Sequence, residues 1–147
     1  MAHLSNYAES GLLNWLFRAN SNNFGRPATV AIALCGNVPH EGQNGLNIPE
    51  IPQGVGYSRA NLGAPSNSIF SEVAQSNDGS GYIQNSSQIT FGPATADWGW
   101  VSGVAILNSG VHGSGEMLMW AKVPSPRFVQ TDDTIVYDAA RFEIYFG

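Results

Sequence analysis

The sequence predicts a mainly β protein: an antiparallel, jelly-roll-like β-sandwich of about eight strands with one N-terminal amphipathic helix. Short apolar runs rich in Val, Ile and aromatic residues alternate with turns rich in Gly, Pro, Ser and Asn. The 147 residues include 17 Gly and 8 Pro, and only 12% are charged, a composition typical of short strands joined by many turns. The length suits a single domain that spans residues 1–147.

The centre of the predicted fold is a hairpin over residues 98–123. Residues 98–107 form an apolar run, 108–115 are rich in glycine, and 117–123 return as the partner strand. A hairpin that is apolar on both faces is not stable alone in water. We therefore expect a second sheet or a helix to cover it.

An amphipathic helix is predicted over residues 5–18. Its apolar residues lie at helical spacing, and Ser5 or Asn6 is the expected N-cap. Either this helix covers a sheet, or it docks on a partner. The residues expected to make its apolar contact are Leu12, Trp15 and Leu16.

A long irregular loop is predicted over residues 36–56, and loops of this length are usually functional or held by partners. Leu46, Ile48 and Ile51 are its well-spaced apolar residues. They either insert into an interface or pack on the flank of their own domain. The remaining predicted strands are 29–34, 56–59, 82–91, 128–130, 134–137 and 140–146, with a break at 124–126.

The composition argues against several classes of protein. The net charge is −5 and the six Lys and Arg residues are scattered, so we expect no nucleic-acid surface. No apolar run approaches the ~18 residues of a membrane span. The N-terminal stretch lacks the basic start of a signal peptide, so we expect synthesis in a cytosol. Cys35 has no intrachain partner and lies in an apolar run, which predicts a buried, inert thiol.

The sequence shows no recognisable catalytic constellation, and we predict no catalytic residue, cofactor or metal. His3, His40 and His112 lack the paired spacing of zinc ligands. Asp132 and Asp133 are typical of a turn.

Tryptophans on the central hairpin are the most distinctive side chains. Trp98 and Trp100 alternate along one strand and are expected to share a face, and Trp120 lies on the returning strand. They either pack in the core, form a stacking platform for carbohydrate, or contact another subunit. The predicted core and structural residues are Asp97, Trp98, Trp100, Trp120, Phe142 and Ile144.

Several blocks, taken in order, resemble a family of small virion proteins of tailed phages, of the cyanophage type, described as tail-fibre-like or as capsid decoration or cement proteins. The Asp97-Trp98-Gly99 motif is the most specific block, and the resemblance covers most of the chain. Residues 36–56 depart from the family in being longer and more apolar. The matching blocks are 6–9, 12–18, 26–34, 56–59, 85–91, 93–99, 105–107, 118–121 and 129–135.

The resemblance implies a non-enzymatic structural protein of the virion, made in the cytoplasm of a bacterial host. Because the chain is a compact domain without a stalk, we expect a cement protein: a homotrimer that binds the major capsid protein on the outer capsid surface. The alternative is a tail-fibre or head-fibre module that binds a host surface glycan through residues such as Tyr82 or His112. The residues expected at the interface are Leu46, Ile48, Ile51, Leu12, Trp15 and Leu16.

Overall fold

A computed structural model describes residues 2–19 and 24–146 and confirms the mainly β fold class, with antiparallel sheets and an N-terminal helix. In the described residues the elements are β1 (His3–Leu4), α1 (Asn6–Phe17), β2 (Val30–Cys35), β3 (Ala60–Gly63), β4 (Ala74–Gln75), β5 (Gly81–Gln84), β6 (Ile89–Phe91), β7 (Gly99–Leu107), β8 (Met117–Val129), β9 (Ile135–Tyr137) and β10 (Glu143–Phe146).

The strands form a five-stranded sheet in the order β1-β8-β7-β2-β3, a three-stranded sheet β10-β5-β4, and the pair β6-β9. One face of the five-stranded sheet packs against β6 and β9 through the main core, where Ile32 and Val101 meet Phe91 and Ile135. On the opposite face, Cys35 and the ends of β7 and β8 pack against Ile48 of the 36–56 loop. All six residues of β2 are buried, as expected for a strand covered on both faces.

The predicted central hairpin is confirmed as β7 and β8, but β8 continues beyond the expected break to Val129. The register shifts between Val101, which pairs with Arg127, and Gly103, which pairs with Lys122. Residues 123–126 therefore bulge opposite a single residue of β7. Proline removes a backbone donor and is tolerated at such a bulge, which explains why Pro124 and Pro126 do not end the strand.

Helix α1 begins where the sequence predicts, with Ser5 as its N-cap. The Ser5 hydroxyl accepts a hydrogen bond from the Ala8 N–H at 3.1 Å and donates to the carbonyl of Met117 on β8. Ala8 and Gly11 are the buried residues of the helix, and a Cβ at Gly11 would lie 2.2 Å from the Phe24 ring. The helix therefore rests on the domain through small residues, which leaves its larger apolar side chains more exposed.

The strand predicted over 82–91 is divided between β5 and β6, which belong to different sheets. The buried side chain of Asn85 lies at the division. Its amide donates to the carbonyls of Ser87 and Asp138, and its oxygen accepts from the N–H groups of Arg141 and Phe142. These four bonds, between 2.9 and 3.1 Å, hold the chain in a turn and satisfy the buried amide.

The strand predicted at 56–59 starts later, as β3 at Ala60. The side chains of Tyr57 and Arg59 are instead buried and hydrogen-bond to Glu50. These two residues therefore precede the strand and are not part of it.

The Cys35 thiol is buried, as the sequence predicts, and it should be unreactive in the folded protein. Burial, reinforced by the Glu50 carboxylate, raises the pKa of Cys35 to about 12, and thiols react as thiolates. We expect Ellman's reagent at pH 8 to leave native protein unlabelled and to label one thiol after denaturation. A variant with Leu46→Cys, at a position that is 80% exposed, should label one thiol at once. Full labelling of the native wild type would contradict the assignment.

Candidate binding surfaces

The C-terminal half of α1 exposes a set of large apolar side chains, which we call the α1 patch. Its members are between 52% and 76% exposed, whereas Leu12 is half-buried. Trp15 and Leu16 were predicted at an interface, and the structure adds two neighbours that spacing alone had not indicated. The α1 patch consists of Leu13, Trp15, Leu16 and Phe17.

The 36–56 loop packs on its own domain, which corrects the predicted interface role of Ile48 and Ile51. Ile48 is 7% exposed and Ile51 only 2%. The reason is backbone pairing with the end of β2, because the Ile51 N–H donates to the Leu34 carbonyl at 3.1 Å and Gly36 donates to Pro49 at 2.9 Å. Leu46 keeps an exposed position at the tip of this loop.

A buried ion pair joins Glu50 of the 36–56 loop to Arg59, which follows the loop in the chain. Arg59 Nε and Nη2 each donate to one Glu50 carboxylate oxygen at 2.9 Å. The remaining guanidinium N–H groups donate to the carbonyls of Ser109, Ser114 and Gly45 at 2.8–3.3 Å. All five guanidinium N–H groups thus have an acceptor, as a buried arginine requires.

Tyr57 and His112 extend this Arg59–Glu50 network. The Tyr57 hydroxyl donates to Glu50 at 2.7 Å and accepts the Leu34 N–H at 3.1 Å. Burial and the adjacent Glu50 carboxylate both raise the pKa of Tyr57, so it stays protonated. His112 Nε2 lies 2.9 Å from the Ile51 carbonyl oxygen, and its ring meets Tyr57 edge to face.

The network joins the 36–56 loop to the tip of the β7–β8 hairpin. Gly45 is essential to this close approach, because a Cβ there would lie 1.9 Å from the Ser114 carbonyl oxygen. The Gly45 N–H also donates to the Gly115 carbonyl at 2.8 Å. Because the N–H groups of Arg59 and the carboxylate of Glu50 are hydrogen-bonded to other groups of the protein, this network is suited to stabilising the fold. Among the residues that the structure describes, no cluster of His, Cys, Asp and Glu is arranged to hold a metal ion.

Trp98 and Trp100 do not share an environment, which corrects the assignment of both to the core. Trp98 is 7% exposed and donates its indole N–H to the Val55 carbonyl at 2.7 Å, whereas Trp100 is 58% exposed. Gly99 between them has φ of +76°, so the alternation of an extended strand is interrupted there. Asp97 is exposed, and its carboxylate accepts the Thr131 N–H at 2.8 Å, which holds the start of β7 to the end of β8.

The other predicted core residues lie at different depths. Phe142 is buried in the main core, and Ile144 packs against it half-buried. Trp120 is half-buried against the smaller core, with its ring centroid 4.6 Å from that of His3. Its indole N–H is buried without an acceptor among the described residues.

Two pairs of aromatic side chains lie at the surface, each formed across neighbouring strands. Trp100 on β7 and Phe128 on β8 are register partners whose rings meet edge to face at 5.5 Å. Tyr82 on β5 and Tyr145 on β10 are register partners at 5.8 Å with an interplanar angle of 42°. Tyr82, a candidate glycan contact, lies in a strand as the sequence predicts, and its side chain is half-buried.

A cleft of about 310 Å³ opens between β8 and β10. Val104, Ile106 and Met119 of the five-stranded sheet line one part of it, and exposed Lys122 and Arg141 also lie along it. The cleft is lined mainly by apolar groups, as small-molecule or side-chain pockets are.

Comparison with family models matches residues 3–144 to the family described as Podophage GP4 fiber I protein gp80. The chain belongs to this fibre family. The resemblance to a phage virion family is thereby confirmed. A search of the curated proteins finds no match.

Membership of the fibre family indicates a protein of the phage virion. Among the described residues no helix has the length and apolarity to cross a membrane.

Removal of the Glu50 carboxylate should strongly destabilise the domain. Glu50→Ala leaves the buried guanidinium of Arg59 without its counter-ion, and breaking one partner of a buried pair costs about 3–5 kcal/mol. Urea unfolding followed by tryptophan fluorescence measures the loss. The matched control is Glu72→Ala at an exposed position, which should stay within about 0.5 kcal/mol of wild type. An unchanged midpoint for Glu50→Ala would show that the pair contributes nothing to stability.

Proposed function

We propose that this protein is a non-enzymatic structural component of a phage fibre, held in the virion by protein contacts through the α1 patch. The observation that carries the proposal is the exposure of four large apolar side chains on one helix of a fibre-family protein. Leu13, Leu16 and Phe17 lie at positions i, i+3 and i+4 of the helix, so they share one face, and contiguous exposed apolar surface marks protein–protein contact sites. Tryptophan and phenylalanine are also enriched at the centres of such interfaces.

The partner bound by the α1 patch is either a second copy of this chain or another virion protein. Self-association, which we propose as a homotrimer, is supported by the low content of charged residues, since few charges oppose association. The finer assignment to a cement protein on the major capsid protein stays a second proposal. The family description supports the fibre ahead of the outer capsid surface.

The copy number of the protein in purified virions, taken relative to the major capsid protein, tests the location. A fibre component should be far substoichiometric, because fibres occupy few sites on a particle. A ratio close to one would overturn the fibre assignment and establish the cement protein. Absence from the particle would overturn both assignments.

Polar substitution of the α1 patch should weaken assembly without unfolding the domain. Because both side chains are exposed, the double variant Leu16→Ser/Phe17→Ser should unfold within about 1 kcal/mol of wild type. Loss of these two exposed apolar side chains should weaken association by at least about tenfold. Sedimentation velocity measures self-association, and complementation of a phage lacking the gene measures incorporation.

The control for this experiment is Val73→Ser, which removes an apolar side chain that is 75% exposed and lies outside the α1 patch. It should assemble as the wild type does. Normal association and incorporation of the double variant would contradict the proposed role of α1.

A second candidate function is binding of a host surface glycan. It is favoured by the Tyr82–Tyr145 pair, because this pair lies beside hydrogen-bonding side chains on a regular sheet. Such binding is compatible with a fibre that is anchored through α1.

A further inference from the structure

The face of the β10-β5-β4 sheet that points away from the core carries four matched side chains. Tyr145 pairs with Tyr82, and Glu143 pairs with Gln84, across β10 and β5. Ile144 lies between Glu143 and Tyr145 and packs on the main core, so its two neighbours point to the opposite face. We call Tyr82, Gln84, Glu143 and Tyr145 the tyrosine platform.

Hydrogen bonds hold the platform in one arrangement. The Tyr145 hydroxyl donates to one oxygen of Glu143, and Gln84 Nε2 donates to the other at 2.6 Å. Glu143 lies two residues before Tyr145 on the same strand, about 7 Å away. The Tyr145 ring must therefore lean along β10 to reach it, so that the ring lies over the sheet surface and offers a face.

A leaning aromatic ring beside fixed polar groups is suited to a sugar. A pyranose presents an apolar face of C–H groups, which packs on an aromatic ring, and a rim of hydroxyl groups, which donate to carboxylate and amide oxygens. Binding sites of this kind combine apolar surface with a few placed polar groups. The ring centroids of Tyr82 and Tyr145 lie 5.8 Å apart, and the two ring planes are inclined by 42°.

We propose that the tyrosine platform binds a neutral hexopyranose unit of a host surface glycan. This inference rests on the proposed fibre function, since it gives the fibre its host contact. The Glu143 carboxylate would accept hydroxyl hydrogen bonds from the sugar, Gln84 would fix the carboxylate, and the tyrosine rings would pack against the C–H face.

The charge around the platform selects against acidic sugars. Hydrogen bonds from Tyr145 and Gln84 hold the pKa of Glu143 below its usual value, so the carboxylate is ionised. The Arg141 guanidinium also lowers the pKa of Glu143, but its effect is the smallest of the causes. The Asp78 carboxylate lies close enough to contribute to the raised pKa of Tyr145, and its own pKa is about 2. Uronic and sialic acids would bring a further negative charge to a chain whose net charge is already −5.

The second aromatic pair provides a matched comparison. Trp100 and Phe128 meet edge to face and are more exposed than the tyrosines, but they place two apolar rings together without a carboxylate–amide pair between them. That chemistry suits an apolar protein contact rather than a sugar.

Saturation-transfer NMR on the full chain tests the platform, with free glucose, galactose, mannose, N-acetylglucosamine and glucuronic acid as the probes. We expect at least one neutral sugar to bind and glucuronic acid to bind least. Tyr145→Ala and Tyr82→Ala should each weaken binding at least tenfold. Tyr145→Phe keeps the ring and should retain more binding than Tyr145→Ala. Trp100→Ala is the control and should bind as the wild type does.

The platform side chains lie on an outward face, so the variants should fold, and circular dichroism checks this. Binding should be constant between about pH 5 and pH 8, because carboxylates with lowered pKa values stay ionised over this interval. Three results would overturn the inference: no binding of any neutral sugar, preferential binding of glucuronic acid, or loss of binding in Trp100→Ala but not in Tyr145→Ala. Virion copy number is independent of each of these results, so the fibre function can stand if the sugar site fails.

Discussion

The ion pair between Arg59 and Glu50 is the interaction on which the arrangement of the molecule depends most. Its guanidinium bonds to carbonyls of the hairpin tip and of the 36–56 loop, while its carboxylate holds Tyr57 at the end of β2. Three segments distant in sequence therefore converge on one buried charge pair. A buried charged group is stable only when its polar atoms have hydrogen-bond partners. This requirement fixes the position of the long, glycine-rich 36–56 loop.

The elements that local chemistry determines could be predicted from the sequence. The Ser5 cap, the buried strand β2 and the β7–β8 hairpin follow from side-chain type and apolar spacing. The features that could not be predicted depend on contacts between residues that are distant in the sequence. Ile48 and Ile51 were predicted at an interface because the sequence does not show that their loop forms backbone hydrogen bonds with the end of β2.

Two other assignments were each changed by one residue. Asn85 divides a segment that the sequence predicts as one strand, because its side-chain amide bonds to four backbone groups, three of which lie more than 50 residues away in the chain. Gly99, with its positive φ, separates the environments of Trp98 and Trp100. The surfaces were the least predictable part, because periodicity assigns large apolar side chains to the core, whereas α1 rests on Ala8 and Gly11.

The bulge in β8 has a consequence for proteins that are crowded together in a particle. Strand β1 covers only Met119 and Trp120, so the outer edge of β8 beyond them could recruit a strand from a neighbour. Pro124 and Pro126 remove backbone donors from that edge, and the bulge bends it out of line. This stretch of β8 is thus protected from pairing with a strand of a neighbouring protein.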